Sequence, residues 1–362
     1  MSTTVAVVGG GYGGVTAAKA LDEFAHVILI EPRDAFVHNV AILRQLVDPD
    51  WSGRLFFPYD RLLAQGKVIR DHAVGVDAGG VTLASGDRVA ADYLVLATGS
   101  AYPFPAKVEE LDSAEATATL RAAHEALAGS KNVLLLGAGP VGLELAGEIK
   151  AAWPDTAVTI VDPAPDILGA TALPEQLRAE VRRQLDALGV ELVLGTALAA
   201  DPPGKPGQAG EFTVTTTSGR DITADIWFRC YGVVPTTGYL GGELAAARDA
   251  RGHLLVNPDL RIPGHANVFA IGDVTAIPEA KMAKAAEQQA AVVAANIRTL
   301  IAGGGELAAY SPASPGIALP LGPNGGASYN ETVGVLGAEQ TSQIKGTSLR
   351  VDSYLELLNL GR

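Results

Sequence analysis

Two turns in this sequence carry glycines at the spacing a backbone needs to cradle a pyrophosphate. The first is Gly9-Gly10-Gly11-Tyr12-Gly13-Gly14, the second Gly137-Ala138-Gly139-Pro140-Val141-Gly142. In each, the first glycine (Gly9, Gly137) permits a tight turn. The second (Gly11, Gly139) removes the side chain that would bar a phosphate, and the third (Gly14, Gly142) lets a helix lie close on a strand. The helix starting there offers free N–H groups and a partial positive charge to an anion. An acid follows each turn at the end of the next apolar run, Glu31 and Asp162. Both are placed to accept hydrogen bonds from ribose hydroxyls.

The elements that must hold these turns repeat as well. Val5–Val8 leads through the first turn to a helical pattern at Val15–Phe24 and an apolar run at Val27–Ile30. Val133–Leu136 leads through the second to Leu143–Trp153 and Val158–Val161. Two β-α-β units about 130 residues apart predict two doubly wound, Rossmann-like α/β domains. Strands are predicted at Lys67–Val76, Val81–Leu83 and Arg88–Val95, then a helix at Glu115–Ala128. Beyond the second unit come a helix at Pro174–Leu188 and strands at Glu191–Leu194, Glu211–Thr217, Ile222–Cys230, Leu254–Val256 and Val268–Ile271. A helix at Lys281–Ile301 follows, then a Gly-, Pro- and Ser-rich tail ending in strand-like runs at Thr332–Leu336 and Leu349–Leu358.

Bulk properties exclude several classes. The formal net charge is -13 with no Lys/Arg run, which argues against nucleic acid or an anionic membrane as partner. The longest apolar stretch, Val133 to Ala146, is broken by the glycine turn and Glu144, so no spanning helix of ~20 residues is predicted. Met1-Ser2-Thr3-Thr4 has no basic leader region, and Gly is absent at position 2. With a single cysteine, Cys230, there is no internal disulfide. A cytoplasmic protein, monomer or homodimer, touching a membrane at most peripherally, is expected.

Three further motifs carry a resemblance. Leu96-Ala97-Thr98-Gly99-Ser100, Cys230-Tyr231-Gly232-Val233-Val234-Pro235 and Val268-Phe269-Ala270-Ile271-Gly272-Asp273 resemble the motifs of flavoproteins with two dinucleotide-binding domains. The resemblance implies FAD at the first turn, with Asp273 holding the ribityl chain. It directs the N-terminus of helix Lys281–Ile301 at the flavin pyrimidine edge and sets Glu144 near the nicotinamide. It divides the chain into an FAD domain (1–107 and 236–301), an NAD(H) domain (108–235) and a small C-terminal α+β domain (302–362) capping the acceptor site. At the second turn Asp162 would repel a 2′-phosphate by up to ~4 kcal/mol at ~4 Å and an effective dielectric of 20. No arginine follows in Pro163–Ile167 to offset it. NADH is therefore expected over NADPH, although NADPH is used within the family.

The acceptor is constrained by what is missing. A disulfide reductase of this kind needs paired thiols, and Cys230 lies in the returning strand, where it reads as a packing residue. Phe36-Val37-His38-Asn39-Val40-Ala41-Ile42-Leu43-Arg44, Pro103-Phe104-Pro105-Ala106-Lys107 and Lys281-Met282-Ala283 resemble the ferroptosis suppressor group of AIF-like NAD(P)H:quinone oxidoreductases. The chain is more distantly similar to the type II NADH:quinone dehydrogenases. The resemblance implies cofactor contacts from Tyr12, Gly13, Arg44, Thr98, Gly99, Lys281 and Met282. It also implies a quinone beside the flavin, with Lys345 and Lys107 at its site and Arg350 where the group has an aromatic. The implied mechanism is ping-pong: hydride from NADH to the flavin, release of NAD, then electrons to the quinone. Two rivals remain. One is a flavoprotein reductase of a ferredoxin or rubredoxin. The other is an AIF-like sensor whose NADH-bound state alters its association.

Overall fold

The computed structural model describes residues 3–361; Met1 and Ser2, where no leader is predicted, fall outside that range. Five parallel strands form the first sheet, in the order Val268–Ala270, Tyr93–Leu96, Thr4–Val8, His26–Ile30 and Lys67–Ile69. Four parallel strands form the second, in the order Val190–Leu194, Ala157–Asp162, Asn132–Leu136 and Ile226–Arg229. Their near-continuous apolar sequences suit strands covered on both faces. Side chains alternate across the sheet. Val5 and Val7 join the core on one side, while Ala6 and Val8 join a separate core with Leu94 and Leu96 on the other.

The helices, in chain order, are α1 (Tyr12–Asp22), α2 (Ile42–Val47), α3 (Ser113–Ala128), α4 (Pro140–Ala152), α5 (Glu175–Ala187), α6 (Gly242–Ala245), α7 (Ala283–Ile301), α8 (Ala338–Thr341) and α9 (Val351–Leu357). Helix α1 lies against α7 at Gly13, where a Cβ would come within 3.2 Å of the Ala286 Cβ. The first sheet takes its last strand, Val268–Ala270, from beyond the whole second sheet. Two crossing segments make that possible, and they pair: Ser100–Ala101 runs antiparallel to Val234–Pro235.

The C-terminal segment touches both halves. Its strands Ile317–Pro320, Gly326–Asn330 and Gly334–Leu336 form an antiparallel sheet against α4 and α5. A Cβ on Gly147 of α4 would collide with the backbone of Leu321. Gln184 of α5 accepts from the Gly326 N–H at 2.6 Å and donates to its carbonyl at 2.8 Å. Helix α9 instead lies on α1. Lys19 of α1 donates to the carbonyls of Glu356 (3.1 Å) and Leu357 (2.6 Å) and to Asn359 Oδ1 (2.8 Å). The bond to Leu357 satisfies a carbonyl of the kind that a helix C-terminus leaves without an intrahelical partner.

Several strand expectations need correction. Leu349–Leu358 is not strand-like. Leu349 and Arg350 take left-handed backbone (φ 47° and 63°) and α9 follows. Val351, Tyr354 and Leu358 are buried at helical spacing, a period of 3.6 that short apolar runs disguise. Three expected strands are each two strands in two sheets: Lys67–Val76 is Lys67–Ile69 and Ala73–Asp77, Arg88–Val95 is Arg88–Ala90 and Tyr93–Leu96, and Ile222–Cys230 is Asp221–Ala224 and Ile226–Arg229. Leu254–Val256 forms no strand; Leu254 makes isolated bridges to Arg248 and Thr275. Among the described residues no helix is long and apolar enough to cross a membrane.

Candidate functional site

The two glycine turns fold alike because their glycines meet the same obstacles. Gly9 (φ +102°) and Gly137 (φ +114°) reverse the chain after their strands in a conformation other residues avoid. A Cβ on Gly14 would strike the Gly9 carbonyl, and one on Gly142 would strike that of Gly137. At Gly11 and Gly139 nothing stands within 4 Å of the missing Cβ. Neither α1 nor α4 has a side-chain cap at its N-terminus. Open space in front of uncapped helix N–H groups is what a pyrophosphate requires, so both cradles fit a dinucleotide.

The acids close these turns. Glu31 accepts from the Gly10 N–H at 2.6 Å and from the Arg33 N–H at 3.0 Å. Asp162 accepts from the N–H groups of Ala138 (2.6 Å) and Ala164 (2.7 Å). Each carboxylate is thus held at the carboxyl end of its sheet beside its cradle.

Near the first cradle, Thr98 donates to the Thr236 carbonyl at 2.6 Å, and Gly99 (φ +65°) forms the adjoining bend. Asp273 accepts from the Ser100 hydroxyl at 2.6 Å. Lys107 donates to the Ser100 carbonyl (2.6 Å) and hydroxyl (3.0 Å) and stands 3.9 Å from Asp273. Burial lowers the Lys107 ammonium from its ordinary range, with Asp273 opposing. Lys281 donates to the carbonyls of Thr275 and Ile277 at 2.7 and 2.9 Å. Met282 then leads into α7, whose N-terminus also lacks a side-chain cap. Gln289, one turn and a half along α7, accepts from the Gly272 N–H at 2.7 Å.

The ring of Tyr12 turns into the core. Its hydroxyl accepts from the Val40 N–H and lies 3.1 Å from His38 Nδ1. The other ring nitrogen, Nε2, is 2.8 Å from the Leu349 carbonyl. A carbonyl only accepts, so Nε2 carries the proton and Nδ1 receives the Tyr12 hydroxyl. Tyr354 of α9 stacks into this cluster, 4.8 Å from the His38 ring and 4.9 Å from that of Tyr12. Its hydroxyl donates to Glu287 at 2.6 Å.

At the second cradle the C-terminal segment delivers a charge. Lys345, in a π-helical turn over Ser342–Gly346, donates to Glu144 at 2.7 Å. Their side chains are 17% and 13% exposed. Glu144 sits in the first turns of α4, two residues past Gly142. Burial raises its carboxyl above the ordinary range while Lys345 pulls it back. Lys345 and Lys107 share no hydrogen bond or ion-pair partner among the described residues. Lys107 belongs to the Ser100–Asp273 group and Lys345 to Glu144.

Arg44 of α2 is buried, and two of its three nitrogens are engaged by protein. Nε and Nη2 reach the two oxygens of Glu148 at 2.5 and 2.8 Å, and Nη2 also reaches the Gly346 carbonyl at 2.9 Å. Glu148 was not legible as a site residue. The available signal was its spacing, four residues after Glu144 on an otherwise Ala- and Leu-rich helix. Cys230 is buried, and burial pushes its thiol up to about 12, the opposite of what a reactive thiolate needs.

Residues 3–290 match the family described as pyridine nucleotide-disulphide oxidoreductase. The chain belongs to that family. This pyridine nucleotide-disulphide oxidoreductase is 30% identical to apoptosis-inducing factor homolog B of Dictyostelium discoideum, covering 98% of this chain and 96% of that protein. It is 32% identical to ferroptosis suppressor protein 1 of Taeniopygia guttata, covering 90% and 88%. A solved structure with the same fold is the sulfide:quinone oxidoreductase of Aquifex aeolicus, at a TM-score of 0.77 and 20% identity over 99% of this chain and 92% of that one. Membership implies FAD and a nicotinamide nucleotide as cofactors, and the two cradles are where this chain offers to hold them.

Proposed function

We propose that this oxidoreductase takes a hydride from NADH and passes the electrons to a quinone-type acceptor with no protein thiol between. When bound, FAD supplies the step that joins a two-electron donor to such an acceptor. The observation that carries the reading is the Lys345–Glu144 pair at 2.7 Å, where the C-terminal segment meets the first turns of the nucleotide helix. A quinone gains negative charge as it accepts electrons, and a preorganised ammonium stabilises that charge. The adjacent carboxyl, raised by burial, can hold a proton nearer neutral pH than an exposed glutamate. Lys107 beside Asp273 contributes a second cation on the FAD side. The chain's one cysteine is buried, so a thiol relay has no pair to run through.

The test reduces the FAD-loaded protein anaerobically with NADH and mixes it with short-chain quinones, ferredoxin or oxygen. Quinones are expected to restore the oxidised flavin spectrum fastest. A ferredoxin that does so faster would replace this reading with that of a protein-acceptor reductase.

The nucleotide preference follows from Asp162, whose carboxylate is fixed by two backbone N–H groups. It would meet a 2′-phosphate with like charge. Asp162→Ala is expected to raise kcat/KM for NADPH mainly by lowering its KM, with less change for NADH. Equal kcat/KM for the two nucleotides in the parent protein would sink the preference for NADH.

A further inference from the structure

We infer that Glu148 is a positioning residue that acts through Arg44 and the Gly346 carbonyl to hold Lys345 against Glu144. The inference rests on the quinone reading above and adds to it a residue that touches neither cofactor nor acceptor. The geometry is a relay across three elements. Glu148 and Glu144 project from successive turns of α4. Arg44 comes from α2 and places two nitrogens on Glu148, at 2.5 and 2.8 Å. The same Nη2 holds the Gly346 carbonyl at 2.9 Å, immediately after Lys345. The planar guanidinium suits this task, because a forked pair on a carboxylate fixes its orientation.

The side chains of Arg44 and Glu148 are 7% and 4% exposed. Water therefore does little to screen the pair or to replace either partner. Four buried or half-buried charges result, two carboxylates on α4 and two cations brought from α2 and the C-terminal segment. Removing Glu148 leaves Arg44 without its forked acceptor, and Glu144 is a second carboxylate that already feels the Arg44 charge. The guanidinium then competes with Lys345 for that partner.

The backbone around Lys345 reaches α4 by two routes, its own sheet and Arg44. The turn is a π-helix, in which one residue more than an α-helix spans the loop. Gly346 sits so close to Pro323 that a Cβ there would lie 2.7 Å from the Pro323 carbonyl. Ser342 donates to the same carbonyl at 2.7 Å. These contacts fix the segment to its own sheet. That sheet docks on α4 at Gly147, and Arg44 adds a second tie, from Glu148 of α4 to the Gly346 carbonyl next to Lys345.

The experiment compares Glu148→Ala, Glu148→Gln and Lys345→Met, and the Glu148→Ala/Lys345→Met double variant, all loaded with FAD. Glu148→Ala should slow reoxidation by a short-chain quinone ~10-fold, the scale of a modest misplacement of a catalytic group. Reduction by NADH should slow less than reoxidation does. Glu148→Gln keeps one acceptor for the guanidinium and should recover part of that loss. It also serves if Glu148→Ala fails to bind FAD. In the double variant, removal of Glu148 should cost little beyond Lys345→Met, because residues acting as one unit are not additive. Amide hydrogen exchange over 342–349 should rise in the Glu148 variants, with or without cofactor, while the sheets keep their protection. Additive losses in the double variant, or unchanged exchange over 342–349, would overturn the positioning role while leaving the quinone reading intact. A Lys345→Met protein that reoxidises at the parent rate would overturn both.

Discussion

Lys345→Met is expected to slow reoxidation of the NADH-reduced protein by quinone ~10-fold or more, the loss typical of one preorganised charge-stabilising donor. FAD content and anaerobic reduction by NADH should change little. The half-reactions separate the two roles because only the second contains the acceptor. Methionine keeps most of the lysine stem's bulk, so packing beneath the ammonium is largely preserved. What is lost is the charge and its 2.7 Å bond to Glu144. Burial already raises the Glu144 carboxyl, and Lys345 is the first cause pulling it down. Without the ammonium the carboxyl rises further and holds its proton to higher pH. The slow reoxidation should therefore come with a pH profile displaced toward alkaline values. Stopped-flow absorbance of the flavin between pH 6 and 9 reads both quantities. An unchanged second half-reaction would leave Lys345 as a partner of Glu144 with no part in reducing the acceptor. A collapse of the first would mean that the C-terminal segment builds the nicotinamide side of the site instead.

Acidification should destabilise the fold through His38 before most carboxylates titrate. His38 is fully buried. Burial lowers its pKa from 6.5 to about 4, with the positive charges of Lys345 and Arg350 adding to the effect and the Leu349 carbonyl opposing it. Tyr12 and Tyr354 also face the ring, and Glu287 is reached through the Tyr354 hydroxyl. Well above pH ~6.5 neither the folded nor the unfolded chain protonates this ring, and its full contribution is present. As pH falls, the unfolded chain binds a proton that the native ring refuses. Stability is lost until the native ring titrates near 4. The whole shift corresponds to about 3 kcal/mol, of which about 2 kcal/mol should be gone by pH ~5. Urea denaturation at saturating FAD, at pH 7 and pH 5, tests this against His38→Asn. The variant should lose less stability on acidification than the parent. An identical loss in both proteins would assign the acid sensitivity to other groups.

Position in the chain explains which parts of the site could be read. Gly14 and Gly142 are forced by collision with the Gly9 and Gly137 carbonyls of the same turn, and Gly9 and Gly137 by their positive φ, so these reasons lie within each turn; the contacts a Cβ on Gly9 or Gly137 would make with Ala97 or Cys230 come from elsewhere in the chain. Asp162 and Glu31 belong to the same local units and were legible with them. Leu349–Leu358 was misread because a seven-residue helix shows too few turns for its period to stand out from alternation. Glu148 was missed for a different reason. An acid on a helix means little until the partner appears, and its partner Arg44 lies 104 residues away.

The sequence by itself determined two dinucleotide cradles, the parallel sheets that carry them and the absence of a thiol pair. Each of these follows from local sterics, apolar runs or a residue count. Only the tertiary structure decided which lysine meets which acid. Lys107 goes to Ser100 and Asp273, whereas Lys345 crosses 201 residues to Glu144. That choice depends on where the C-terminal sheet docks. Its docking is set by the close approach of Leu321 to Gly147, the Gln184 bonds to Gly326 and the Lys19 cap on α9. Such contacts join elements far apart in the chain and leave no periodic trace in it, because a charge pair needs only two side chains to arrive at one place.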